Sequence, residues 1–174
     1  MSRLFGPMRQ VGIVVRDIRA ALTHWSGAAS VGPWFYAPSL DYSSFHYRGV
    51  PGKLRLAVAL ANSGGMQIEL MQPLDDSPSM FNDFLRAGHE GMHHWCVWPD
   101  DYDACVERAL SAGWRIGQGG DSPRGRWVYF ESTAHPGTVV EVAEASEGRR
   151  RINAGVAAAA EGWDGCDPIR ETWP

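Results

Sequence analysis

Apolar residues recur along this chain in two rhythms, and the series of rhythms runs twice. Residues 10–15 are β-branched and apolar between polar neighbours, which predicts a strand. Asp17 follows as an N-cap, and Ile18, Ala21, Leu22 and Trp25 recur at helical spacing, predicting a helix over residues 17 to about 26. A short aromatic strand is expected at 34–36, and a loop or edge strand over 41–52. Residues 53–61 alternate, with Leu54, Leu56, Val58 and Leu60 sharing one face. Residues 66–72 form the next strand, stopped by Pro73. Residues 74–90 read as a connection with a short helix, capped by Ser77 or Ser79 and burying Phe81, Phe84 and Leu85.

The pattern then restarts. Strands are expected at 92–98, 114–117, 126–131 and 138–143, a helix at 101–112 and a glycine-rich loop at 119–125. Each half is strand, helix, then three strands with short turns, which favours an α+β fold. Two βαβββ modules, about 8–73 and 91–144, form one domain over 8–144. Their curled, mostly antiparallel mixed sheet would close around a cleft. Residues 145–174 are a C-terminal tail: a helix over 147–160, then a stretch that is either a mobile end or an arm docking Trp163 and Trp173. Arg149-Arg150-Arg151 reads as a solvated face, with a phosphate clamp as the alternative.

The echo brings chemistry with it. Laying RQVGIVV (residues 9–15) on HHWCVWP (residues 93–99) puts Gln10 on His94. The last strand of each half carries a glutamate at the matching step, Glu69 in QIELMQ and Glu141 in VVEVAE. Gln10, Glu69, His94 and Glu141 are therefore two symmetry-related pairs. One imidazole nitrogen with two or three side-chain oxygens suits a divalent metal ion such as Zn, Ni, Co, Mn or Fe. Such a site keeps positions open for water or substrate. The ion would polarise a carbonyl and stabilise an enediolate, and a displaced carboxylate, Glu69 or Glu141, would move a proton at the neighbouring carbon.

Strand alternation predicts that Cys96 and Trp98 face the cleft with His94, while His93 caps the outer face. Gln67 shares a face with Glu69. Trp34, Tyr36, Cys96, Trp98, Trp127 and Tyr129 are the expected pocket wall, with Phe35 a further aromatic candidate. Lys53, Arg55 and Arg126 are the basic residues named for the cleft mouth. His24, His46, His89 and His135 have no ligand spacing.

The bulk numbers narrow the classes. A net charge of −4 gives no electrostatic support for nucleic-acid binding. Three cysteines without a CxxC pair argue against a disulfide framework and fit a reducing cytoplasm. The first residues lack the apolar core of a secretory signal, and no apolar run approaches the roughly 20 residues of a membrane span.

GMHHWCVW followed by an acidic helix start, and QIELMQP before it, resemble the vicinal oxygen chelate superfamily. That group includes glyoxalase I, methylmalonyl-CoA epimerase, extradiol dioxygenases and antibiotic-resistance binding proteins. The resemblance spans about residues 8–144 and implies metal ligands on the first and last strands of each module: Gln10, Glu69, His94 and Glu141. A Gln/Glu/His/Glu set is similar to that of some glyoxalase I enzymes. Gln10 departs from the histidine usual in the epimerases and removes one histidine that the dioxygenases need. The expectation is a metal-dependent lyase or isomerase, cytoplasmic and homodimeric, that moves a proton next to a carbonyl or thioester of a small molecule. The alternatives are a non-catalytic small-molecule binding protein using the same cleft, and a cofactor-free isomerase with Glu141 or His94 as base.

Overall fold

The computed structural model describes residues 2–174. The chain runs β1 (Met8–Val14), α1 (Ile18–Gly27), β2 (Trp34–Tyr47), β3 (Val50–Ser63), β4 (Met66–Pro73), α2 (Met80–Arg86) and β5 (Gly91–Val97). It continues through α3 (Tyr102–Ser111), β6 (Arg115–Asp121), β7 (Trp127–Glu131), β8 (Val139–Ala143), α4 (Glu147–Ala160) and β9 (Ile169–Arg170). Side-chain oxygens begin the helices. Asp17 accepts from the Arg19 and Ala20 amides, Ser79 from Asn82, Asp101 from Ala104 and Ser146 from Arg149, satisfying donors that a first turn leaves unpaired.

The sheet curls into a closed ring in the order β3-β4-β1-β5-β8-β7-β6-β2, shut by the β2–β3 pairing, with β9 added beside β2. β1 pairs β4 in parallel and β5 pairs β8 in parallel; β1–β5 and β2–β6 are antiparallel. The ring belongs to one chain, so four strands of that chain, β4-β1-β5-β8, lie side by side and carry Glu69, Gln10, His94 and Glu141.

Strand alternation sorts the side chains into three layers. Leu54, Leu56, Val58 and Leu60 of β3 point into the ring with Val14, Phe35, Phe45, Phe81 and Tyr129. Ala57, Ala59 and Ala61 on the other face of β3 are small, and α1 packs there through Ile18 and Leu22. α3 covers the opposite wall, with Cys105 and Ala109 against Phe130, Val140 and Val142.

Two stretches of strand run further than expected. Residues 34–47 form one strand, since register shifts after Ala37 and Tyr42 let β2 follow β3 around the curve. The glycine-rich run is strand as far as Asp121. A Cβ on Gly120 would lie 2.4 Å from the Ser44 carbonyl oxygen, so glycine there permits close strand pairing instead of marking a loop.

The tail is an arm docked on its own chain. Ile169–Arg170 pair with Trp34–Phe35, Trp173 meets Phe35 at 6.2 Å between ring centroids, and Trp163 lies against Gly32. Among the described residues, no helix is long and apolar enough to cross a membrane.

Candidate metal centre

Glu69 of β4, His94 of β5 and Glu141 of β8 each offer a ligand atom, and these atoms all lie within 4.8 Å of one another. Register explains the convergence. Gly12 of β1 stands beside Glu69 and Cys96 of β5 beside Glu141, so each glutamate sits one strand away from the β1–β5 seam. Across that seam Gly12 faces His94 and Gln10 faces Cys96. Gln10, Glu69 and Glu141 line one cavity of about 40 Å³ inside the ring, together with Trp127 and Tyr129. Gln10 donates through Nε2 to Gln67 Oε1 at 2.8 Å, which leaves its own Oε1 as the electron-pair donor.

The histidine is set by three neighbours. Gly12 has no side chain, and the imidazole takes the space where one would stand. Tyr129 packs edge-on at 4.7 Å between centroids. The third neighbour is His93, whose Nδ1 lies 3.1 Å from His94 Nδ1. The expectation that His93 caps the outer face is thus wrong. The β1–β5 register slips between Gly12 and Ile13, giving β5 an extra residue, and this bulge turns His93 inward against Phe81 and Phe84 of α2. Burial, then the neighbouring His94, pull the His93 imidazole down to about 3, so it stays neutral. A neutral His93 can accept an Nδ1 proton of His94, the tautomer that would leave the His94 Nε2 lone pair for an ion beside Glu141.

His94 Nε2 and Glu141 Oε2 are 3.2 Å apart, yet this buried oxygen makes no hydrogen bond among the described residues. Two electron-rich atoms at that distance need a proton or a cation between them. The spacing is also about that of two adjacent ligand atoms each roughly 2.1 Å from one ion. The residues present therefore fit a divalent metal ion. Burial, reinforced by Glu141, pushes the Glu69 carboxyl above the ordinary carboxylate range. Burial also opposes charge on Glu141, but in the ion-free site a proton on His94 Nε2 facing it outweighs burial and holds that carboxyl low. Without a cation the site keeps one proton between its two carboxylates.

Of the expected wall, Trp127 and Tyr129 line the cavity. Trp34 and Tyr36 do not. They are the wrong parity of β2 and pack under α1, while Phe35 between them faces inward. Cys96 is fully buried in the interior packing; burial, then Glu141, hold its thiol well up, which removes it as a nucleophile. Trp98 lies beyond the end of β5 and lines a groove beside α4. Arg55 pairs with Asp41, and Arg126 with Asp103 and Glu144. Neither of them, nor Lys53, lines the cavity. The cations that do are Arg124 and Arg149, which no strand period singles out.

Residues 9–130 match the family model described as the Glyoxalase/Bleomycin resistance protein/Dioxygenase superfamily. No functionally curated protein matches the chain by sequence. Among solved structures, the methylmalonyl-CoA epimerase of Mycobacterium tuberculosis is 20% identical with a TM-score of 0.62, over 87% of this chain and 95% of its own. A hypothetical protein of Bacillus halodurans is 18% identical with a TM-score of 0.60, over 81% and 95%. A Streptomyces coelicolor methylmalonyl-CoA epimerase variant in complex with 2-nitronate-propionyl-CoA is 19% identical with a TM-score of 0.56, also over 81% and 95%.

Proposed function

The chain belongs to the glyoxalase/bleomycin resistance protein/dioxygenase superfamily, and from that premise we propose that it is a metal-dependent lyase or isomerase that moves a proton at the carbon beside a carbonyl or thioester. The observation that carries this reading is the meeting of ligand atoms of Glu69, His94 and Glu141 within 4.8 Å, beside a cavity lined by Gln10, Glu69 and Glu141. We read Gln10 and His94 as one symmetry-related pair and Glu69 and Glu141 as the other, each pair drawn from two βαβββ modules. These four residues would hold the ion. A divalent cation there supplies positive charge against the oxygen of an enolate as it forms.

The remaining work falls to the chain. Glu69 is the better proton carrier of the two carboxylates, because its raised affinity for a proton brings it toward the operating pH. Glu141 stays charged beside His94. Tyr129, whose hydroxyl is kept protonated chiefly by burial, presents an O–H donor in the same cavity. An acyl thioester is the substrate class favoured by the similarity to the epimerases.

The test is deuterium incorporation from solvent at the α-carbon of methylmalonyl-CoA and of a glyoxal hemithioacetal, followed by NMR alongside metal analysis. One divalent ion per chain and exchange into one of the two substrates are expected, and His94→Ala and Glu141→Ala should lose both properties. Exchange that persists in those variants, or in excess chelator, would overturn the reading. Ligand binding without turnover is the second reading. It draws on the polar lining of the same cavity, where Gln10, Arg124 and Arg149 would hold a ligand with no proton transfer.

A further inference from the structure

Arg124, on the β6–β7 connection, and Arg149, in the first turn of α4, both line the cavity. Neither forms an ion pair among the described residues. The arginine triplet is thus split by the fold. Arg149 is half-buried at the site, while Arg150 and Arg151 are exposed and Arg150 meets Asp100.

Both guanidinium groups are held in place. Arg149 donates through Nε to the Glu144 carbonyl at 2.9 Å. Arg124 lies 5.4 Å over the Trp173 ring, and its carbonyl accepts from Ser146 Oγ at 2.7 Å. A third donor points to the same need. Trp127 is 6% exposed and lines the cavity, and its Nε1 has no hydrogen-bond partner among the described residues. Arg149 and Asn153 also line a separate groove of about 560 Å³ with Arg9 and Trp98.

With a divalent ion held by both carboxylates, the charges of the cavity do not balance without a further anion. Two carboxylates neutralise a divalent ion, Gln10 and His94 add nothing, and two guanidinium charges are left over in a half-buried place. An enolate whose substrate also carries a carboxylate has two negative charges.

We propose that Arg124, Arg149 and Trp127 Nε1 hold a carboxylate carried by the substrate, placing its carbonyl at Glu69, His94 and Glu141. This deepens the reading under Proposed function and rests on it for the position of the carbonyl. The ligand class is a small oxo acid or an acyl compound with a carboxylate close to its carbonyl. Guanidinium groups prefer a planar, two-oxygen anion, which they grip with paired hydrogen bonds.

The test is equilibrium binding of pyruvate and of its neutral methyl ester to the full chain, with and without zinc(II), followed by tryptophan fluorescence. Pyruvate is expected to bind at least tenfold more tightly than the ester. Arg124→Met and Arg149→Met should each lose about tenfold for pyruvate and little for the ester, while Arg150→Met matches the unaltered chain. Arg124→Lys and Arg149→Lys, which keep the charge, should fall between, and zinc affinity should change by less than about threefold throughout. Equal binding of pyruvate and ester, unchanged affinity in the Met variants, or competition by inorganic phosphate as strong as by pyruvate would overturn the proposal. Discrimination between acid and ester by a chain that takes up no zinc would instead sink the metal reading and leave the clamp standing.

Discussion

Gly12 of β1 and His94 of β5 face each other across the seam of the ring, and the imidazole lies so close over the glycine that a Cβ there would be 1.8 Å from His94 Cε1. The contact is with a ring held by Tyr129 and His93, not with the end of a flexible chain. Gly12→Ala should therefore push the imidazole out of line with Glu141. We expect at least a tenfold loss of divalent-metal affinity and about 1–3 kcal/mol of lost stability. Calorimetric metal titration and thermal unfolding check the two effects separately.

His93 acts through His94. His93→Phe would keep ring packing against Phe81 and Phe84 but remove the acceptor for the Nδ1 proton. Metal affinity should fall by about 10- to 100-fold, with the fold retained by circular dichroism. His93→Asn, whose amide oxygen can accept, should recover part of the loss.

These two groups, His93 and Glu69, should make the metal-free protein most stable between about pH 5 and 6. The His93 imidazole is pulled from 6.5 to about 3, so its contribution is complete above 6.5 and is lost progressively as pH falls toward 3. That is roughly 1 kcal/mol between pH 6.5 and 5.5. The Glu69 carboxyl is shifted the other way, from 4.5 to about 7, so its contribution is complete below 4.5 and is lost progressively as pH rises from there through about 7. Glu69→Gln should flatten the alkaline limb and His93→Phe the acid one in denaturant titrations across pH. Added zinc should stabilise more at pH 8 than at pH 6, because binding at the lower pH must first displace a proton.

The docked arm contributes to the fold. Trp173 packs on Phe35 and Arg124, and Pro174 occupies the space where a Gly155 side chain would stand. Trp173→Ala should cost about 1–2 kcal/mol, less than for a fully buried tryptophan because Trp173 is half-exposed. The unfolding temperature measures it.

Much of the frame was legible in the sequence because it rests on periodicity. The leucines of β3 and the caps Asp17 and Ser79 follow from spacing. The two glutamates and His94 were also picked out by their matching strand steps, and the structure brings ligand atoms of these three together. What escaped depends on the third dimension. A one-residue bulge turned His93 inward, and strand parity put Phe35 rather than Trp34 and Tyr36 inside the ring. Arg124 and Arg149 reach the cavity from a connection and a tail helix, and no period in the sequence ties either to the strands they meet. The glycines of β6 looked like loop because close strand approach, which also requires glycine, leaves no mark of its own.

The central claim is that four side chains of one chain converge on one ion. Anomalous X-ray diffraction at the zinc edge, from crystals grown with zinc(II), tests it most directly. The account predicts one strong peak per chain, touching His94 Nε2, a carboxylate oxygen of Glu69 and of Glu141, and Gln10 Oε1. Absence of a peak at that point, or a peak held only by surface residues, would contradict it.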